Sequence, residues 1–234
     1  MSIASILFDL DGTLVDTSPG IERALKEAIS TIMPGRETTI PNVRSIIGPP
    51  IRDMLKKALP SADNTILNEL DRQFRQGYDS IGWQECTAYN GVAETMACLV
   101  QLNLKCFVVT NKRNMPAIRI LDRLKLRAHF SEIVSWDSGV PAFASKSDMV
   151  CHIIQKYRLN PEEALLVGDS RDDAQAAQIC GAKFAAVAYG YGDVHALQEC
   201  RKDYMLEKFA DLLPIVHESL REAVGTTILC NQEI

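Results

Sequence analysis

The chain has 234 residues, 47% of them hydrophobic and 24% charged, with a net charge of −5 at pH 7. This is globular composition with enough apolar material for one or two cores. The acidic balance argues against nucleic acid or an anionic membrane as partner, and no apolar run reaches the length of a membrane span. Residues 1–10 carry no basic n-region, and the strand beginning at Ile3 is too short for a signal h-region, so the expected compartment is the cytoplasm. The seven cysteines, Cys86, Cys98, Cys106, Cys151, Cys180, Cys200 and Cys230, are scattered and form no CxxC pair. They read as free thiols in a reducing compartment, not as a disulfide framework or zinc site. Cys151 and His152 are adjacent and point in different directions on a helix, so they are not read as ligands.

Taken in order, Ile6-Leu7-Phe8 predicts a strand buried on both faces. Ser18-Pro19 reads as N-cap and first position of a helix, with Ile21, Leu25, Ala28, Ile29 and Ile32 at helical spacing and Pro34-Gly35 as its stop. A helical turn at Asn42–Ile47 is broken by Gly48-Pro49-Pro50. Two amphipathic helices follow, at Ile51–Leu59 and Asn64–Ile81, so residues 17–83 are expected to be all helical. After the turn at Tyr89-Asn90-Gly91 the pattern changes. Helices are expected at Val92–Leu102, Met115–Leu124, Lys146–Tyr157, Asp172–Cys180, Val194–Glu199 and Phe209–Ala223. They alternate with strands at Lys105–Thr110, Glu132–Trp136, Ala164–Val167, Lys183–Ala188 and Tyr204–Leu206. Such alternation implies βαβ units and a parallel sheet. Thr226–Ile234 shows no periodicity and reads as a loose tail.

The chemistry gathers where strands end, because ligands of open α/β sheets bind at the carboxyl ends of the strands. The first strand runs into Asp9-Leu10-Asp11-Gly12-Thr13. Alternation points Asp9 and Asp11 the same way, and like charges so close require a cation between them or a shared proton. A hard cation such as Mg²⁺ would resolve the conflict, and Gly12 lets the chain turn and leaves its amide open to an anion. The second strand delivers Thr110-Asn111-Lys112, a hydroxyl followed by amides at a helix start, suited to phosphate although also ordinary loop chemistry. The fourth delivers Gly168-Asp169-Ser170-Arg171-Asp172-Asp173, whose acids could serve a cation or only the helix dipole. Lys146, opening the preceding helix, could neutralise phosphoryl oxygens or simply be solvated.

Together and in this order, these four tracts resemble the four motifs of the haloacid dehalogenase superfamily in its phosphatase form. The resemblance implies a three-layer Rossmann-like parallel sheet core at 1–16 and 84–225, with a small all-helical cap inserted at 17–83 and residues 226–234 as a tail. It implies Asp9 as nucleophile, Asp11 as general acid/base, Thr110 as phosphate binder and Lys146 as charge stabiliser. Gly12 and Asn111 would line the phosphate. Mg²⁺ would be held by Asp9, the Asp11 carbonyl and Asp169, with Asp173 a ligand or its support. The tracts Gly48-Pro49-Pro50, Tyr89-Asn90-Gly91-Val92, Thr110-Asn111-Lys112 and Tyr189-Gly190-Tyr191-Gly192 look more narrowly like the phosphoglycolate phosphatase branch. One departure is Ser147, where that branch usually has Pro after the lysine.

The implied activity is hydrolysis of a small phosphorylated metabolite by a monomer or homodimer. A phosphomutase would carry Arg where Ile51 stands, a phosphonatase would need a Schiff-base lysine in the cap, and a non-catalytic relic would not need all four motifs. Arg44 and Arg52 flank the cap loop Ile47–Arg52 and are the expected readers of a substrate carboxylate.

Overall fold

The computed structural model describes residues 2–36 and 42–230, the side chains of 223–230 excepted. In chain order the elements are β1 (Ser5–Phe8), β2 (Val15–Asp16), α1 (Ser18–Ile32), α2 (Ile51–Ala58), α3 (Asn64–Ser80), β3 (Thr87–Ala88), α4 (Val92–Gln101), β4 (Lys105–Thr110), α5 (Asn114–Arg123), β5 (Glu132–Ser135), α6 (Lys146–Lys156), β6 (Ala164–Gly168), α7 (Arg171–Cys180), β7 (Lys183–Val187), α8 (Val194–Glu199), β8 (Tyr204–Leu206) and α9 (Leu212–Cys230). Six strands form one sheet in the order β5-β4-β1-β6-β7-β8, every neighbouring pair parallel.

Strand alternation sorts the side chains into two cores. Ile6 and Phe8 of β1, Cys106 and Val108 of β4, and Leu165 and Val167 of β6 pack on one face with α4, α5 and α9. Leu7, Phe107, Val109 and Leu166 face the other way, against Met149 and Ile153 of α6 and Ala176 and Ala177 of α7. Both faces are therefore covered by helices, which is why these strands read as unbroken apolar runs. Phe8 anchors the first core, its ring 6.1 Å from that of Phe130 and 5.7 Å from that of Phe209.

A third cluster belongs to the helices between β1 and β4. Ile21, Leu25 and Ile29 of α1 meet Leu55 of α2 and Leu70 and Phe74 of α3, and Tyr191 from the sheet side joins them. Asp63 caps α3 by accepting from the Ile66 amide at 2.9 Å. These helices are joined to the sheet through β2 and β3, an antiparallel pair of two residues each. A ladder that short leaves no periodic signal, so the sequence does not announce it.

Three expectations are corrected. Ser18 is the first residue of α1, not its N-cap; Thr17 is the flanking residue and makes no side-chain cap. The Ser18 hydroxyl turns back to Asp16 instead, at 2.6 Å. Residues 226–230 continue α9 instead of forming a tail, because no proline interrupts a helix already propagating; residues 231–234 lie outside the described residues. Cys151 and Cys180 form a disulfide with a Cα–Cα distance of 5.7 Å. They sit on neighbouring helices, α6 and α7, a juxtaposition that sequence spacing does not reveal. Cys86, Cys98, Cys106 and Cys200 are free. Among the described residues, no helix is long and apolar enough to cross a membrane.

Candidate active site

The strand order places the site. Chain connections run outward from β1 in both directions, through β4 to β5 and through β6 to β8, so β1 is the switch point where a crevice opens at the carboxyl ends. The three central strands end in Thr110, Asp9 and Asp169. All three line a single cleft beneath the α1–α3 helices, together with Asp11, Asn111 and Lys146. The cleft measures about 860 Å³, the space open to solvent included.

Asp9, Asp169 and Asp173 are 5%, 4% and 0% exposed, and their carboxylate oxygens lie within 4.8 Å of one another. Lys146, also buried, donates to Asp9 Oδ1 at 2.7 Å and to Asp173 Oδ1 at 2.6 Å. One ammonium among three buried carboxylates leaves two negative charges uncompensated. Burial, and then the charges of Asp173 and Asp169, drive Asp9 well above the usual carboxylate range in spite of Lys146. Burial and Asp173 likewise raise Asp169 to about 6, against the pull of the Tyr191 amide. The same carboxylates hold the Lys146 ammonium protonated: its pKa is raised although burial opposes its charge. The donor set is oxygen only, with no Cys or His, and suits a hard divalent cation that would supply the missing charge.

The two carboxylates after β6 have different duties. Asp173 is committed on both oxygens: Oδ1 takes Lys146, and Oδ2 accepts from the Ser170 amide at 3.0 Å and from its hydroxyl in a capping box that starts α7. This geometry makes Asp173 the support of Lys146 and of the helix. Asp169 offers Oδ2 to the amides of Tyr191 and Gly192, at 2.6 and 3.2 Å, which orients the carboxyl group. Gly12, at φ +89°, passes so close that a Cβ there would run into the Asp169 carboxylate. Asp172 lies outward, accepting from Asn111 Nδ2 at 3.0 Å.

Asp11 is not part of the acidic cluster. Its carboxylate takes both a 2.6 Å hydrogen bond from the Thr17 hydroxyl and the Lys112 ammonium, at 3.0 and 3.2 Å from its two oxygens. Lys112 is buried, and its Nζ stands 4.7 Å from the centre of the Tyr78 ring of α3. Asp11 and Tyr78 hold that ammonium charged in spite of burial. Lys112 was absent from the expected site residues. Its partner lies 101 positions away, and the only sequence signal was its place directly after Thr110-Asn111. The Thr110 hydroxyl accepts from the Lys112 amide at 3.1 Å, which fixes the start of the loop.

Neither of the two cap arginines, Arg44 and Arg52, lines the cleft. Arg44 pairs with Asp16 at 3.1 Å, donates to the Tyr89 hydroxyl at 3.4 Å and lies over the Tyr191 ring. It therefore binds the junction between helices and sheet. Arg52 points along the outside of α2 to Asn64 and Asn68. Arg75 and Arg113 border the cleft instead. Tyr191 was also missed as a residue: its hydroxyl donates to Asp16 at 2.7 Å and accepts from the Thr17 and Ser18 amides, while its own amide holds Asp169.

Residues 6–187 match the family model of haloacid dehalogenase-like hydrolases. The chain belongs to that family. It is 31% identical to a phosphoglycolate phosphatase of Pectobacterium atrosepticum over 223 residues, covering 93% of this chain and 94% of that protein. It is also 31% identical to a pyrophosphatase of Bacillus cereus over 224 residues, covering 94% and 100%. Among solved structures, a haloacid dehalogenase-like hydrolase from Streptococcus pneumoniae superposes with a TM-score of 0.80 at 25% identity, covering 91% of this chain and 98% of that one.

Proposed function

We propose that the chain is a Mg²⁺-dependent phosphatase that hydrolyses a small phosphomonoester through an aspartyl-phosphate on Asp9. One observation carries this reading: a buried Asp9 lies 2.7 Å from the Lys146 ammonium in the cleft that also holds Asp11, Thr110 and Asp169. An Asp9 oxygen attacks phosphorus as the ester P–O bond breaks, and Asp11 gives a proton to the departing oxygen. Asp11 then takes a proton from water, which attacks phosphorus and breaks the bond to Asp9. Lys146, Thr110 and the Asn111 amide hold the equatorial oxygens; the Gly12 amide, expected to be open to an anion, instead donates to the Val15 carbonyl at 2.9 Å. Asp9, the Asp11 carbonyl and Asp169 would hold Mg²⁺, which supplies charge neutralisation and orientation. Lys112 and Thr17 orient the Asp11 carboxylate.

The family and the named relatives support a phosphatase. They make phosphoglycolate the first ester to test, although the cap arginines no longer support it. The helices of residues 17–83 act as the cap over the site, and the setting is cytoplasmic. Phosphate release from a panel of esters is the test. The parent should be active with Mg²⁺, stop with chelator, and not be restored by Ca²⁺, whose looser geometry spoils in-line alignment. Asp9→Asn should fold but release no phosphate. Residual turnover within about tenfold of the parent contradicts covalent catalysis by Asp9. Equal rates with Ca²⁺ and Mg²⁺ contradict the metal assignment.

A further inference from the structure

In-line displacement sends the leaving oxygen to the side of phosphorus away from the nucleophile. With Asp9 on the floor of the cleft, the rest of the ester projects toward the cap. The wall it meets is mostly apolar: Ile47 and Pro50 of the cap loop, Ile51 and Met54 of α2, Phe74 of α3, and Trp136 from the sheet side, with Arg75 and Tyr78 of α3 at its border. Each cation that lines the cleft beside Lys146 already has a carboxylate partner. Arg75 pairs with Asp71 at 2.6 Å, Arg113 with Asp79, and Lys112 with Asp11. Arg44 and Arg52 face elsewhere. A carboxylate seated against this wall would lose its water and meet only cations that already hold a carboxylate. An aliphatic or aromatic group would gain from every apolar surface it covers.

We propose that the substrate class is a phosphate monoester of an apolar alcohol, its hydrocarbon part seated between α2, α3 and Trp136. The inference rests on the phosphatase reading and narrows its leaving group. The overall reaction is unchanged: ester and water give alcohol and inorganic phosphate.

The test uses the full chain with Mg²⁺ and the n-alkyl phosphates from ethyl to hexyl, whose leaving alcohols differ little in acidity, beside phosphoglycolate. The expected result is a kcat/KM that rises by roughly three- to fourfold per methylene until the wall is covered, with butyl phosphate preferred to phosphoglycolate. Ile51→Ser, at a half-buried position, should lower the gain per methylene, and Met54→Gln should do the same should Ile51→Ser fail to fold. A flat alkyl series, or phosphoglycolate preferred tenfold or more to butyl phosphate, overturns the inference and leaves the phosphatase reading standing. No phosphate from any ester, or equal release by Asp9→Asn, overturns both.

Discussion

At the scale of single residues, the site is a problem in charge. Lys146 compensates one of three buried carboxylates, and the raised pKa values of Asp9 and Asp169 record what is left over. Asp11 stands apart, oriented by Thr17 and Lys112, and the acid/base role assigned to it makes a graded claim. Asp11→Asn should slow turnover by roughly 10²–10⁴. In single-turnover phosphorylation, the loss should be smaller for p-nitrophenyl phosphate, whose leaving oxygen needs no proton, than for an alkyl phosphate. An equal loss for both would remove Asp11 from the acid role. The carboxylates were legible in the sequence because two acids after a buried strand demand a partner. Lys112 was not, because nothing local distinguishes a lysine bound to Asp11 from a solvated one.

At the scale of elements, the strands and helices of the core were legible because each is apolar with the period its burial requires. The junction between cap and core was not. β2 and β3 are two residues each, and their neighbours are held by side chains: Tyr191 and Arg44 both reach Asp16, and hydrogen bonds from Ser18 and Tyr191, with the charge of Arg44, keep that carboxyl low although burial opposes them. Arg44 therefore belongs to the junction. Arg44→Ala should raise KM for phosphoglycolate and p-nitrophenyl phosphate alike, by no more than about fivefold for a partly exposed pair. A loss confined to phosphoglycolate would return Arg44 to substrate recognition. The disulfide between α6 and α7 is a second tie that the sequence hid. It joins residues 29 apart, on the helices that carry Lys146 and Asp173. Closing a loop of that length should add about 3–4 kcal/mol to the unfolding free energy. Urea unfolding with and without reductant measures it, and coincident curves would mean the bond contributes nothing.

At the scale of the whole molecule, a parallel sheet with its switch point at β1 collects three strand ends into one crevice, and helices inserted after β1 roof it. The architecture could be read ahead of the structure because the element pattern and the four motifs agree with each other. The substrate could not, since the cleft is lined by particular side chains of α2 and α3, and a rotation of about 100° between neighbours on α2 separates Ile51, which lines it, from Arg52, which does not. The proposed mechanism requires a covalent bond between Asp9 and phosphorus. Acid quenching during turnover of a hydrolysed ester, followed by peptide mass spectrometry, tests it directly. A phosphoryl adduct is expected on the peptide carrying Asp9, formed at the rate of alcohol release and absent from Asp9→Asn. Full turnover with no adduct at any quench time, or an adduct on another residue, would contradict it.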